Sequence, residues 1–188
     1  MSSCFHNTVR QQNGKVVPAI RETDMMQTEW NDRVAAVWRE AGGMADLDVV
    51  AAIDALVAER EPDDATALFE AAGARDYAGL ELEAEPLYRR ALELELDERL
   101  VPRAVIQLAS TLRNLGRVDE AIDMLERQLH AHPADEWTGP SAAFLALCLV
   151  SRGDERDAAS VALAALADYL PVYGNSVRDY AIELAGER

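Results

Sequence analysis

The chain has 188 residues, of which 49% are hydrophobic and 6% aromatic, and a formal net charge of −16. That length suits one domain with a core built mainly of Ala and Leu. The charge argues against nucleic acid and anionic membranes as partners, because phosphate groups are held by Lys and Arg displacing counterions.

From the N-terminus, residues 1–25 are polar and aperiodic and read as a disordered tail, leaving residues 26–188 as a single domain. The tail lacks the apolar centre of a secretion signal, and the longest apolar run, residues 142–150, is far short of the roughly 20 residues that span a bilayer. The cytoplasm is therefore the expected compartment. Cys4 and Cys148 make no disulfide framework, and Cys148 reads as a small buried hydrophobe. The 18 basic residues include one lysine, Lys15, a skew that points to GC-rich coding and a bacterial source rather than to a physical need.

Residues 28–60 carry two helical stripes, Trp30, Val34, Val37 and Trp38, then Val50, Ile53, Leu56 and Val57, separated by Gly42 and Gly43. The consensus small residues of the downstream copies are missing here. This pair reads as a cap over the end of a stack of helices, with a degenerate extra repeat as the alternative.

Gly79, Gly116 and Gly153 stand 37 residues apart, and Ala72, Ala109 and Ala146, like Ala84, Ala121 and Ala158, share that period. A fixed period of this size marks a repeat protein. The middle copy is the clearest. Val101, Val105, Leu108, Leu112 and Leu115 form one helical stripe, Ile122, Leu125 and Leu129 a second, and Pro133 ends it. Two helices joined by so short a turn must lie antiparallel, and the alanines let their backbones approach. Copies are expected at about 65–96, 102–133 and 139–171, followed by a capping helix at 172–185 with Val177, Tyr180, Ala181 and Leu184 inward. Packing is also the reading for Tyr169 and Tyr173, with an aromatic rim on a binding surface as the alternative. No period-2 run suggests a sheet.

The set Leu108, Ala109, Leu112, Gly116, Ala121, Leu125 and Pro133 resembles the tetratricopeptide repeat. The third copy offers Leu145, Ala146, Leu149, Gly153, Ala158, Ala162 and Ala165, and the first Ala72, Gly79, Ala84, Tyr88 and Ala91. Departures are Gln128, where the family usually has Ala, Arg75, where a large apolar residue is expected, and Pro171, one place late. Over roughly residues 63–185, segments such as EAEPLYRRAL and YGNSVRDYAIEL resemble a group of bacterial single-domain tetratricopeptide proteins without assigned activity. The resemblance implies an all-α, right-handed solenoid of antiparallel helix pairs with capping helices at its ends.

Catalytic chemistry finds little support. His130 and His132 are two apart, which puts them on different helix faces and not at the i, i+4 spacing of a helical metal pair. Carboxylates such as Glu81, Glu83, Glu85, Glu93 and Glu95 read as a hydrated surface, and no phosphate-binding loop, dinucleotide fingerprint or nucleophile elbow is found. No enzyme, cofactor or metal is expected.

The resemblance implies a concave groove lined by the first helix of each copy. Its lining would be Phe69, Asp76 and Tyr77 from copy one and Arg103, Ile106, Gln107, Ser110, Arg113 and Asn114 from copy two, with Ala143, Leu147 and Val150 from copy three. Arg113 is the leading candidate, as a planar fork for a carboxylate or carbonyl, against the alternative of an internal pair with Asp76 or another acid. The positions that hold acidic chaperone tails in relatives are Phe69, Gly73, Gln107, Pro140 and Phe144 here, so that clamp is absent. An apolar peptide or helix suits the lining better. The expected function is a non-enzymatic scaffold binding a protein or peptide, and the alternative is a homodimer through the repeat faces.

Overall fold

A computed structural model of the protein describes residues 11–12, 15–16 and 22–186, with side chains from residue 26. It forms two compact units, Met1–Met44 and Ala45–Arg188. In the first unit, β1 (Gln11–Gln12) and β2 (Lys15–Val16) pair antiparallel, Gln11 opposite Val16 and Gln12 opposite Lys15. This corrects the expectation of no strand. Helix α1 spans Glu22–Glu40, so it begins inside the stretch read as tail. The rest of that tail, with Cys4, lies outside the described residues. Trp30 and Val34 are buried, Val37 and Trp38 half-buried, and a 3-10 turn, Ala41–Gly43, ends the unit's helical run.

The second unit holds α2 (Asp46–Val57), α3 (Ala65–Tyr77), α4 (Glu81–Glu93), α5 (Val101–Asn114), α6 (Val118–Ala131), α7 (Thr138–Arg152), α8 (Glu155–Ala167) and α9 (Gly174–Gly186). On α2 Ile53 and Leu56 are inward as expected, while Val49 is buried in place of Val50, and Val50 and Val57 are half-buried. The side chain of Asp64 caps α3 by accepting from the Ala67 N–H at 2.9 Å.

The repeat period is visible in backbone geometry. Gly79, Gly116 and Gly153 have φ of 70°, 78° and 96°, left-handed values at which a side chain is strained. Around each, the same Schellman closure forms: Leu80 N–H to Arg75 O, Arg117 N–H to Leu112 O and Asp154 N–H to Leu149 O, at 2.8, 2.8 and 2.9 Å. The second helix of each pair then starts two residues after its glycine, at Glu81, Val118 and Glu155. These repeated turns fold α3 on α4, α5 on α6 and α7 on α8, giving the all-α solenoid that the sequence predicts.

The core follows the period as well. Ala72, Ala109 and Ala146 are buried, as are Ala84, Ala121 and Ala158, and Leu108, Leu112, Ile122 and Leu125 fill the middle copy. Each second helix also packs against the next first helix, while α5 touches both α3 and α7. The first helices thus form one continuous row. Helix α9 continues the stack on α8 without comparable packing on α7, and of its expected inward residues only Ala181 is buried. Tyr180 is 64% exposed, and Tyr169 and Tyr173 are 72% and 79% exposed, so the packing role expected for these tyrosines is not what the structure has.

Arg75 explains the first copy's departure. It occupies the repeat position of the buried Leu112 and Leu149, yet it reaches sideways and grips Asp54 of α2 with two bonds of 2.8 and 3.1 Å. It also approaches Glu83 of α4 at 3.5 Å and donates to the carbonyl of Ala71 at 3.1 Å. An apolar core contact is replaced by a charged link joining α2, α3 and α4.

Candidate functional site

The row of first helices contains two junctions, α3 with α5 and α5 with α7. At the first, Phe69 of α3 is buried, its ring centroid 6.1 Å from that of Tyr88 on α4, and the Arg103 guanidinium covers it at 5.3 Å. Phe69 is therefore a core residue and not an open lining residue. Ile106, one period later, is buried in the same core cluster. The third member of the series, Ala143, is exposed.

Asp76 faces this first junction half-buried. Thr111 of α5 donates a 2.9 Å hydrogen bond to its carboxylate, within 3.0 Å also of the Gln107 carbonyl. Burial pushes the Asp76 carboxyl above its usual range, the bond from Thr111 opposes the shift, and Glu81 adds to it. The buried Tyr88 hydroxyl lies close enough to act on the same carboxyl but is not aligned for a hydrogen bond of ordinary geometry. Burial and the charge of Asp76 push the phenol far upward, so it stays neutral.

The second junction carries the opposite charge. Arg113 occupies the repeat position of Asp76 and leans from α5 toward α7, its Nη1 3.5 Å from Ser151 Oγ and its Nη2 donating to Asn114 Oδ1 at 3.0 Å. Its Nε is buried without an acceptor. Among the described residues no carboxylate pairs with it, so the internal pair with Asp76 considered from sequence does not form. Cys148 occupies the repeat position of Thr111 and is likewise on the Arg113 side; burial raises its thiol pKa while the guanidinium charge opposes the rise.

Beside Arg113 the surface turns apolar. Leu147 and Val150 of α7 are 47% and 52% exposed, and Tyr77 of α3 and Asn114 of α5 are also open, with Asn114 Nδ2 3.3 Å from Glu81. Gln107 and Ser110 are half-buried on α5, and Gln107 Oε1 is enclosed without a donor. Of the residues singled out from sequence, Arg103, Gln107, Ser110 and Arg113 are exposed or half-buried on α5, Leu147 and Val150 are exposed on α7, and Phe69 and Ile106 are withdrawn into the core. Ser151 was missed, because its role rests on contact with Arg113 across two helices rather than on its type.

Among the described residues no group of three or more His, Cys, Asp and Glu is placed to hold a metal, and no helix is long and apolar enough to cross a membrane. His132 Nδ1 lies 2.7 Å from Asp135, in the turn that leads from α6 into α7.

Crystal structures of nearly identical TPR-like repeats, from a Podosopora anserina protein named as a kinesin light chain, are similar to this chain. One matches with a TM-score of 0.66 and 17% identity over 86% of this chain and 89% of that one. A variant of it matches at 0.63 and 17%, over 85% and 92%. At that identity the likeness concerns the fold. No curated protein sequence matches the chain. The Tetratrico peptide repeat family profile matches residues 65–184, from the start of α3 into α9. With the three repeated glycine turns and the stacked helix pairs, this places the protein in the tetratricopeptide repeat family.

Proposed function

We propose that this protein is a non-enzymatic scaffold that binds a protein segment or peptide along its row of first helices. Proteins of this repeat family generally bind other proteins, and the observation that carries the reading here is local. On one face of α5 and α7, exposed Leu147 and Val150 adjoin Arg113, a cation without a carboxylate partner among the described residues. Exposed apolar side chains rimmed by polar groups mark interaction surfaces. Binding there would cost little ordering of the protein, because the helices are already held by the core.

The test is selection of peptide ligands from a random library displayed on phage, using the full chain as bait and Leu147→Glu as the counter-bait. Enriched peptides should bind the wild type at least about tenfold more tightly than the variant, since a charge set into an apolar contact must be desolvated. Equal binding to both baits, or no enrichment, would remove the face as the site.

A second reading, self-association, draws on exposed Val172, Tyr173, Tyr180 and Ile182 near the C-terminal end of the stack. Sedimentation equilibrium on wild type and Tyr180→Glu, Ile182→Glu decides it. A dimer in the wild type that the substitutions dissociate supports it, and a monomer throughout sinks it.

A further inference from the structure

We infer that the ligand of this face is directional, with an acidic side chain seated on Arg113 and a large apolar side chain two or three residues away, over Leu147 and Val150. The inference rests on the peptide-binding reading above and adds the chemistry and order of the ligand's anchors.

In a chain with net charge −16, Arg113 stands out as an arginine with no acid among the described residues and with an enclosed Nε that has no acceptor. Several guanidinium groups elsewhere on the repeats are neutralised locally, Arg75 by Asp54, Arg89 by Glu120, Arg117 by Glu85 and Arg152 by Asp119, while Arg103 lies over the Phe69 ring. Arg113 instead has two neutral oxygen partners, one of them at the 3.5 Å limit, and a buried Nε with none. Five N–H donors are present and two are engaged, so the group is held in place but short of acceptors. A carboxylate is the acceptor that meets both the charge and the fork of the terminal nitrogens.

The first junction shows why this is particular to one place. At the same repeat position Asp76 is already engaged by Thr111, and it would repel a ligand's acid. An acidic ligand group is thereby directed to copy two and away from copy one. The third member of the series, Val150, offers only apolar contact. Acid, base and apolar residue succeed one another along the row, and the sequence of a ligand must keep the complementary order.

Spacing comes from geometry. Arg113 touches Ser151, and Leu147 lies one helical turn, about 5.4 Å, before Ser151 on α7, while neighbouring packed helices lie about 8–10 Å apart. An extended peptide advances about 3.3–3.6 Å per residue, so two or three residues cover the interval.

The experiment sequences the phage-selected random peptides and measures Kd for synthetic versions by fluorescence anisotropy, on wild type, Arg113→Gln, Arg113→Lys and Leu147→Glu. The expected result is enrichment of Asp or Glu two or three positions from Leu, Ile, Phe or Trp. Arg113→Gln should weaken those peptides about tenfold, and replacing the peptide acid by its amide should cost as much on wild type and nothing further on Arg113→Gln. Arg113→Lys, which keeps the charge without the fork, should recover part of the loss. Peptides that lose binding on Leu147→Glu but carry no acid, or are indifferent to Arg113→Gln, overturn this inference and leave the binding face standing. Absence of any peptide sensitive to Leu147→Glu overturns both. Circular dichroism melts confirm that the variants remain folded.

Discussion

The two junctions of the first-helix row are built from the same repeat positions and differ in how their polar groups are used. Between α3 and α5 the series places Phe69, Asp76 and Thr111, and the result is closed: a ring under Arg103 and a carboxylate held by a hydroxyl. Between α5 and α7 it places Ile106, Arg113 and Cys148, and the cation is left with weak neutral partners beside open Leu147 and Val150. The comparison teaches that a repeat fixes where side chains stand, while the residues chosen decide whether a junction is a brace or an open surface.

The largest expected effect sets a closed position against its open counterpart. Phe69→Ala should lower unfolding free energy by about 3–5 kcal/mol, because a fully enclosed ring is removed. Ala143→Ser, at the same repeat position but exposed, should change it by less than about 0.5 kcal/mol. Urea denaturation of both variants checks the contrast, and comparable losses would break it.

A feature shared by both junctions serves as the internal control. Gly116→Ala should cost about 1–2 kcal/mol, since the left-handed backbone strains any side chain, and nothing within 4 Å of the added Cβ adds a clash. Gly79→Ala and Gly153→Ala should match it in urea titrations. Unequal losses would show that the three turns are not equivalent.

The next effect depends on pH and belongs to the first junction alone. A carboxyl whose folded pKa lies above its unfolded value binds protons more tightly in the fold, so its charged form destabilises at high pH and that penalty fades as pH falls. For Asp76 the penalty is complete above the raised folded pKa and gone below the ordinary 3.8. Asp76→Asn should therefore raise the melting temperature at neutral pH by a few degrees, with the gain shrinking on acidification through that window. Thermal melts from neutral to acid pH test it, and a gain that grows with acidification would reverse the assignment.

Smallest is Arg113→Gln. With no acid to release, it should alter unfolding free energy by less than about 0.5 kcal/mol. A loss of several kcal/mol in urea denaturation would make Arg113 a structural brace like Arg75 and erase the difference between the junctions.

Much of the fold was legible because it is local chemistry repeated. The glycines at one period, with apolar stripes on either side, specify turn and helix pair without reference to the rest of the chain. The candidate face was legible only in part. Arg113, Gln107, Leu147 and Val150 could be assigned to the first helices by their repeat positions, but Phe69 and Ile106 look like equally good lining residues until the fold buries them. Arg75 likewise reads as a defect until Asp54, 21 residues earlier, is seen to hold it.

By itself, the sequence determined the helix pairs, their turns and their antiparallel order, because hydrogen bonding within helices and the φ demanded at a glycine act over a few residues. Only the tertiary structure decided which side chains of the repeat are covered, which acid meets Thr111, that Arg113 meets none among the described residues, and that Tyr180 faces outward. Those outcomes depend on which helix comes to lie alongside, and burial and charge pairing are properties of neighbours brought together by the fold.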